Sequence, residues 1–373
     1  MTPLPPNGSE LHDEAGRLLA AGDAEAVVRR LEAAIAFGTT SAVVHHDLVR
    51  AYEIVGRLDD AIELLGRLAM VLPTRRELQS QLGQLAGRAL AAGRVGAAAW
   101  AAERLTELDP SSRSAWSRLV AAHRRAGDRD RVVEALRGWA TCCPGDETAE
   151  FFLRAYTGGT AEIAPADQVR RLFDHYAAQF DDHLAQLGYR APRRVADRLA
   201  ELLAGRGWPP ASGALADLGC GTGQVGELVR HLAGRLVGVD LSAGMLAKAG
   251  ERGCYDELVA GDLVEFLTAR PAAFDMLVSA DTLNYLGELR PTFAAARAAL
   301  LPGGTFLFTL EHGHDVRAPG YRLTETGRFE HDSAAVRTAL TEAGFESVTV
   351  AEFVLRHEGE REVVGLLVDA SVR

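Results

Sequence analysis

The chain is poor in lysine, aromatic residues and cysteine, and it lacks any long apolar run. Lys248 is its only lysine, so almost all 40 basic residues are arginine, which we read as genomic composition rather than chemistry. Acids outnumber bases 51 to 40, giving a net charge of -11. Such a chain repels phosphate backbones, and no local basic patch offsets it. The arginines of HRRAGDRDR (123–131) alternate with aspartates, as at a solvated helix end. Nucleic acid is therefore excluded as a partner. The four cysteines form no CxxC and no metal-ligand spacing, and the adjacent Cys142 and Cys143 are poorly placed to bridge each other. Reduced thiols in a reducing compartment follow. No stretch of about 18 apolar residues exists to span a membrane. The opening MTPLPPNGSELHDE lacks the basic start and apolar core of a signal peptide. A cytoplasmic protein without a membrane partner is expected. At 373 residues, two or perhaps three domains fit.

What is present divides in two. In the first 150 residues Gly22, Gly56, Gly93 and Gly127 recur, and Pro73, Pro110 and Pro144 each stand 17 residues beyond a glycine. Alanine- and leucine-rich helical patterns fill the intervals, as in GRLDDAIELLGRLAMVLP. The period predicts helix, tight turn, helix, then a proline-marked turn. Each such glycine should end a helix in the left-handed conformation. Tyr52, Ala61 and Pro73, then Ala98 and Pro110, then Trp116, Leu119 and Pro144 resemble the tetratricopeptide consensus. The resemblance implies an all-α solenoid over 1–156, with a capping helix at 146–156 and a linker at 157–165. Such a stack holds a peptide or protein partner, or acts as a rigid spacer or dimerisation element.

From 166 to 373 short apolar runs alternate with amphipathic ones: 214–219, 235–240, 257–261, 274–280, 304–310, 347–355 and 362–370. This predicts an α/β domain with a mostly parallel sheet. Only RHEGERE (356–362) joins the last two runs, which makes them an antiparallel hairpin. The first run leads into LADLGCGTGQVG (215–226). A glycine loop after a first strand lies where α/β sheets bind cofactors.

A literal GxGxxG can be written over Gly221, Gly223 and Gly226. Three observations oppose a dinucleotide. Counted from Gly219, the sixth position is Gln224. Asp217 puts a carboxylate where a diphosphate would sit. The sheet ends in a hairpin rather than a second mononucleotide half.

The stretch instead resembles motif I of class I S-adenosylmethionine (SAM) methyltransferases. The resemblance continues through VGVDLSAGMLAKA, AGDLVEFL, FDMLVSADTLNYL and LLPGGTFLFTL. It implies a Rossmann-like fold and SAM as cofactor, held around Asp217, Gly219, Gly221, Gly223, Asp240, Leu241, Met245, Asp262, Leu263 and Ala280. In this reading Asp217 accepts from the ammonium, Asp240 takes both ribose hydroxyls and Asp262 faces the adenine amino group. Each acid also has a structural reading: Asp217 as a loop cap, Asp240 as a cap on the next helix, Asp262 as a turn residue.

The leading segment RRLFDHYAAQFDDHLAQLGYRAP (170–192) resembles that of predicted methyltransferases that also carry tetratricopeptide repeats. It implies a lid. Tyr176 and Phe180, four apart on one helical face, would shield the sulfonium. Arg190 would pair with the methionine carboxylate. Asp281, Tyr285 and His312 are candidate catalytic groups; Asn284, Tyr321, Arg328 and His331 are candidates for acceptor binding. EHGHD (311–315) invites a metal reading, but no third histidine is near and the chemistry needs no metal, so none is expected. The acceptor, small or carrier- or protein-bound, stays open. The alternative is a non-catalytic, SAM-binding scaffold.

Overall fold

The structure, a computed structural model, describes residues 7–68, 75–209, 211–314, 316–359 and 361–373. Side chains of 66–68, 75 and 77 lie outside the description. The chain forms two compact units, Met1–Leu153 and Arg154–Arg373.

The first unit is helical. Its helices are α1 (Gly8–Ala20), α2 (Ala24–Ala36), α3 (Ala42–Ile54), α4 (Leu58–Leu68) and α5 (Arg75–Ala91). Then come α6 (Val95–Leu108), α7 (Arg113–Ala126), α8 (Arg129–Cys142) and α9 (Glu147–Thr157), the last spanning the division. Gly22, Gly56, Gly93 and Gly127 follow α1, α3, α5 and α7 with φ between +71° and +79°, the left-handed turn expected of them. Pro110 and Pro144 sit in the turns after α6 and α8; Pro73 lies outside the described residues. The expected small contacts are buried: Ala61 and Ala98 are 0% and 2% exposed. Trp116 on α7 lies so close to Gly138 on α8 that a Cβ there would meet the ring at 2.6 Å.

The second unit opens with α10 (Ala166–Tyr176), α11 (Phe180–Gln186) and α12 (Ala191–Gly205). Its strands are β1 (Ser212–Leu218), β2 (Ala233–Asp240), β3 (Glu257–Ala260), β4 (Phe274–Ser279) and β5 (Leu300–His312). These are followed by β6 (Tyr321–Leu323), β7 (Phe329–His331), β8 (Ser347–Glu358) and β9 (Arg361–Ser371). The intervening helices are α13 (Gln224–Val229), α14 (Ala243–Arg252), α15 (Leu263–Thr268), α16 (Arg290–Ala299) and α17 (Ser333–Glu342).

The sheet order is β3-β2-β1-β4-β5, all parallel. Beyond β5, β9 runs antiparallel to it and β8 antiparallel to β9, the expected hairpin. Strand order reverses between β1 and β4, which opens a crevice at their carboxyl ends. The central strands β1, β4 and β5 are largely buried, with Phe274, Phe306 and Phe308 at 0% exposure, as a sheet covered on both faces requires.

Two features depart from the sequence reading. Residues 321–331, to which the sequence reading gave no strand, carry the hairpin β6–β7, which joins the far end of β5 through Glu311–His312 and Glu330–His331. The second departure lies within the expected linker: Ala164 N–H donates to Tyr285 C=O at 2.9 Å, and Gly287 and Glu288 N–H to Glu162 C=O at 2.8 and 2.9 Å. The hairpin β8–β9 also reaches back to the start of the unit. Arg190 N–H donates to Leu355 C=O at 3.0 Å and His357 N–H to Leu187 C=O at 2.9 Å.

Candidate active site

A cavity lies at the carboxyl ends of β1 to β4, roofed by the leading segment. Gly219, Asp240, Leu241, Asp262, Leu263 and Ala280 line it, together with Asp281, Tyr285 and Arg328 on one side.

The glycine loop is fixed by sterics. Gly219 has φ +70°, and a Cβ there would stand 2.2 Å from Thr282, whose hydroxyl donates to Gly219 C=O at 3.1 Å. Gly221 and Gly223 have φ +55° and +87°, conformations that cost a residue with a Cβ. They shape the loop from outside the lining. Asp240, at the tip of β2, accepts from Gly221 N–H at 2.9 Å and Ser242 N–H at 2.8 Å. Burial raises its carboxyl above the usual range, against those two hydrogen bonds. Asp262 caps α15 by accepting from Val264 and Glu265 N–H while it lines the cavity. A carboxylate offers several lone pairs, so the capping bonds leave acceptor capacity for a ligand on each acid.

Asp217 sits beneath the loop, 1% exposed and off the cavity wall. Tyr255 donates to its Oδ2 at 2.6 Å, and Oδ1 has no partner among the described residues. Burial pushes its pKa up to about 7, the Tyr255 hydrogen bond pulling the other way.

The leading segment corrects several expectations. Tyr176 ends α10 and Phe180 begins α11, so the helix breaks between them and they share no face. Tyr176 turns outward, 37% exposed, edge-on to His183. The rings of this segment that line the cavity are Phe173, Phe180 and Tyr189. Phe173 packs edge-on against both Phe180, centroids 6.0 Å apart, and Tyr285, at 5.5 Å. Arg190 is exposed, at the N-cap of α12, and lies off the wall. Met245 is buried in α14 at 1% exposure, its place set by packing.

A charged cluster at the ends of β4 and β5 had no counterpart in the sequence reading. Arg328 Nη1 donates to Glu311 at 2.7 Å and Asp281 at 3.3 Å. Arg356 Nη2, on β8, donates to the same Glu311 oxygen at 2.8 Å and to Glu358 at 2.7 Å. Asn284 bonds Asp281 and accepts from Glu311 N–H at 2.7 Å; it is fully buried, a brace rather than a contact for acceptor. Burial raises the Asp281 carboxyl, whereas at Glu311 the two guanidiniums outweigh burial and lower it. Asp281 holds φ +59°, uncommon for an aspartate, and its N–H donates to Thr309 Oγ1 at 2.8 Å. The signal available in sequence was an acid on β5 facing arginines on two later segments, which only the topology brings together.

Arg328 alone of the hairpin candidates reaches the cavity. Tyr321 and His331 face a smaller pocket beside Gly287 and Glu288, because β6–β7 turns them away. His331 is 2% exposed, and burial lowers its pKa to about 4. His312 also lies off the cavity, with its ring 4.5 Å from that of His314 and Nδ1 3.5 Å from Glu352. Among the described residues no group of three His, Cys, Asp or Glu side chains is placed to hold a metal; Asp315 lies outside them.

Comparison with known proteins decides the family. Residues 216–308 match the model of a methyltransferase domain. The chain is 33% identical over 200 residues to malonyl-[acyl-carrier protein] O-methyltransferase of Geobacter sulfurreducens, covering 49% of this chain and 72% of that protein. The chain belongs to the SAM-dependent methyltransferases. Human methyltransferase-like protein 27 is 30% identical, covering 48% of this chain and 75% of that protein. A solved SAM-dependent methyltransferase from Mesorhizobium loti is 27% identical, covering 47% of this chain and 99% of that one, with a TM-score of 0.36.

The cofactor of this methyltransferase domain is SAM, and the cavity suits it. Half-buried carboxylates at the end of β2 and just past β3 offer acceptors to hydroxyl and amino donors. The wall beside them is aromatic, which favours a cation. Arg252, close to the glycine loop, is held by Asp181 and Glu227, so no free cation beckons a diphosphate there.

Proposed function

We propose that this domain methylates a carboxylate oxygen of an acidic acceptor. The observation that carries the reading is the Arg328 guanidinium on the cavity wall, between Tyr285 and the Asp281–Glu311 pair. Its Nη1 serves the two acids and the guanidinium also bonds the Tyr285 side chain, and a guanidinium's five donors leave some for a carboxylate. The relative named malonyl-[acyl-carrier protein] O-methyltransferase supports an acidic, oxygen-methylated acceptor.

SAM supplies a methyl group already activated by its sulfonium. This chain needs to hold, align and keep dry. Asp240 would take the ribose hydroxyls and Asp262 the adenine amino group. The backbone at Gly219 would pass close under the methionine portion, and Asp217 would act on the ammonium from below, through water. A carboxylate acceptor carries no proton to remove, so no general base is required. Arg328 orients it, and Phe173 and Phe180 exclude water.

In the same reading residues 1–156 are a tetratricopeptide-like stack and 157–165 a linker to the methyltransferase domain, 166–373. The buried alanines and left-handed glycines at the expected period support it. The stack would present a partner or carrier-bound acceptor.

The test uses methyl-labelled SAM with free and carrier-bound dicarboxylates. A methyl ester releases its label as volatile methanol in alkali. Label that survives alkali, on nitrogen or carbon, would sink the carboxylate reading.

A further inference from the structure

Asp174 and Asp181, seven residues apart in the repeated Phe-Asp pair of the leading segment, each reach from the roof to a loop beneath it. Asp181 Oδ1 accepts from Thr222 Oγ1 at 2.6 Å and Gln224 Nε2 at 2.8 Å, and its Oδ2 pairs with Arg252. Thr222 and Gln224 flank the last glycine of motif I and themselves line the cavity. Arg252 in turn donates to Thr222 C=O at 2.7 Å, so three elements meet on one carboxylate. Asp174 Oδ1 accepts from Ser242 Oγ at 2.6 Å and Gly244 N–H at 3.1 Å, at the start of α14, two and four residues past Asp240. The backbone approach there is close: a Cβ on Gly244 would lie 3.3 Å from Asp174 Cα and from Ala177 Cβ.

We infer that Asp181 is a positioning residue, a latch that holds the roof closed on the glycine loop and so sets how long SAM stays bound, with Asp174 as the second catch. The partner of each phenylalanine lies in the cavity or against it, while the aspartate beside it grips a cofactor loop. Packing and latch are thus built on adjacent positions of one segment. The latch rests on the SAM assignment but is separable from it. It predicts a defect in cofactor retention, without loss of the cavity floor.

The experiment measures S-adenosylhomocysteine binding and initial rates on the full chain for wild type, Asp181→Ala and Asp182→Ala. Asp182 is the exposed neighbour and carries the same charge, so it controls for a general electrostatic effect. In wild type, binding tests the cofactor assignment itself. Asp181→Ala should weaken the dissociation constant at least about tenfold, the scale of losing hydrogen bonds to a charged group. It should raise KM for SAM in parallel and change kcat at saturating SAM less than about threefold. Residues 166–190 should become cleavable by protease in the presence of ligand. Asp182→Ala should match wild type throughout. Asp174→Asn, milder for folding, should show the same split at smaller size. The inference is overturned if Asp181→Ala binds as wild type does, if Asp182→Ala loses as much, or if kcat falls while affinity holds.

Discussion

Tyr255 drives its ring into a slot walled by glycines and donates its hydroxyl to Asp217 at the bottom, O to O 2.6 Å. A Cβ at Gly226 would stand 2.3 Å from that hydroxyl, and one at Gly238 3.0 Å from the ring edge. The third glycine of the literal GxGxxG therefore answers to a tyrosine rather than a diphosphate.

Gly226→Ala should overpack this slot. We expect a loss of about 1–3 kcal/mol, the usual cost of added methyl groups in a filled core. Urea denaturation of the ligand-free protein measures it. Tyr255→Phe should not rescue the variant, since Cζ also lies 2.3 Å from the added atom.

Asp217 carries a pH signature. Burial lifts it from 3.8 to about 7, so the folded state binds a proton that the unfolded chain has released between those values. Its contribution to stability therefore falls as pH rises from about 4 to about 7, then stays level, by at most about 4 kcal/mol. Asp217→Asn lacks this term. Relative to wild type it should gain stability across that window in the ligand-free state. Parallel melting curves at either end would contradict the assignment.

Asp240→Ala should abolish cofactor binding. Two hydroxyl bonds to a carboxylate amount to at least about a hundredfold in affinity. Calorimetry with S-adenosylhomocysteine reads this directly, and NAD should give no heat with either protein. Because Gly221 N–H also loses its acceptor, the variant's apo melting temperature should be recorded beside the titration.

Arg328→Met leaves Asp281 and Glu311 facing each other with one guanidinium fewer. The expected cost is about 3–5 kcal/mol, typical of breaking a buried pair from one side. Glu311 is held below its usual range by the arginines, so its pairing stabilises above the unfolded pKa and is lost as pH falls. The gap between wild type and variant should widen from acid toward neutral pH. A pH-independent gap would mean that the arginine contributes packing alone.

How far could these features be read in advance? The parallel core, the closing hairpin and the glycine loop were legible because apolar runs and glycines act locally. The places of Asp240 and Asp262 on the cavity wall were legible because a motif ties each to the end of a strand. The leading segment was misread where it mattered: Tyr176 and Phe180 have helical spacing, yet the chain turns at Ala177–Gln179 and gives the cavity to Phe173 instead. Nothing local marks that break. The Arg328–Glu311–Arg356 cluster was invisible for another reason. Its members lie on β5, at the turn into β7 and on β8, and meet only through pairing of the sheet edge. Tyr321 and His331 failed as cavity residues because a two-stranded hairpin rotates alternate side chains away.

The backbone bonds from Arg190 to Leu355 and from His357 to Leu187 have a consequence for biosynthesis. A chain leaving the ribosome carries the glycine loop, Asp240 and the whole leading segment while β8 is still unmade. Contacts this distant in sequence are slow to close. The roof's rear anchor thus waits for β8 and β9, and a nascent methyltransferase domain lacks it until both strands have emerged.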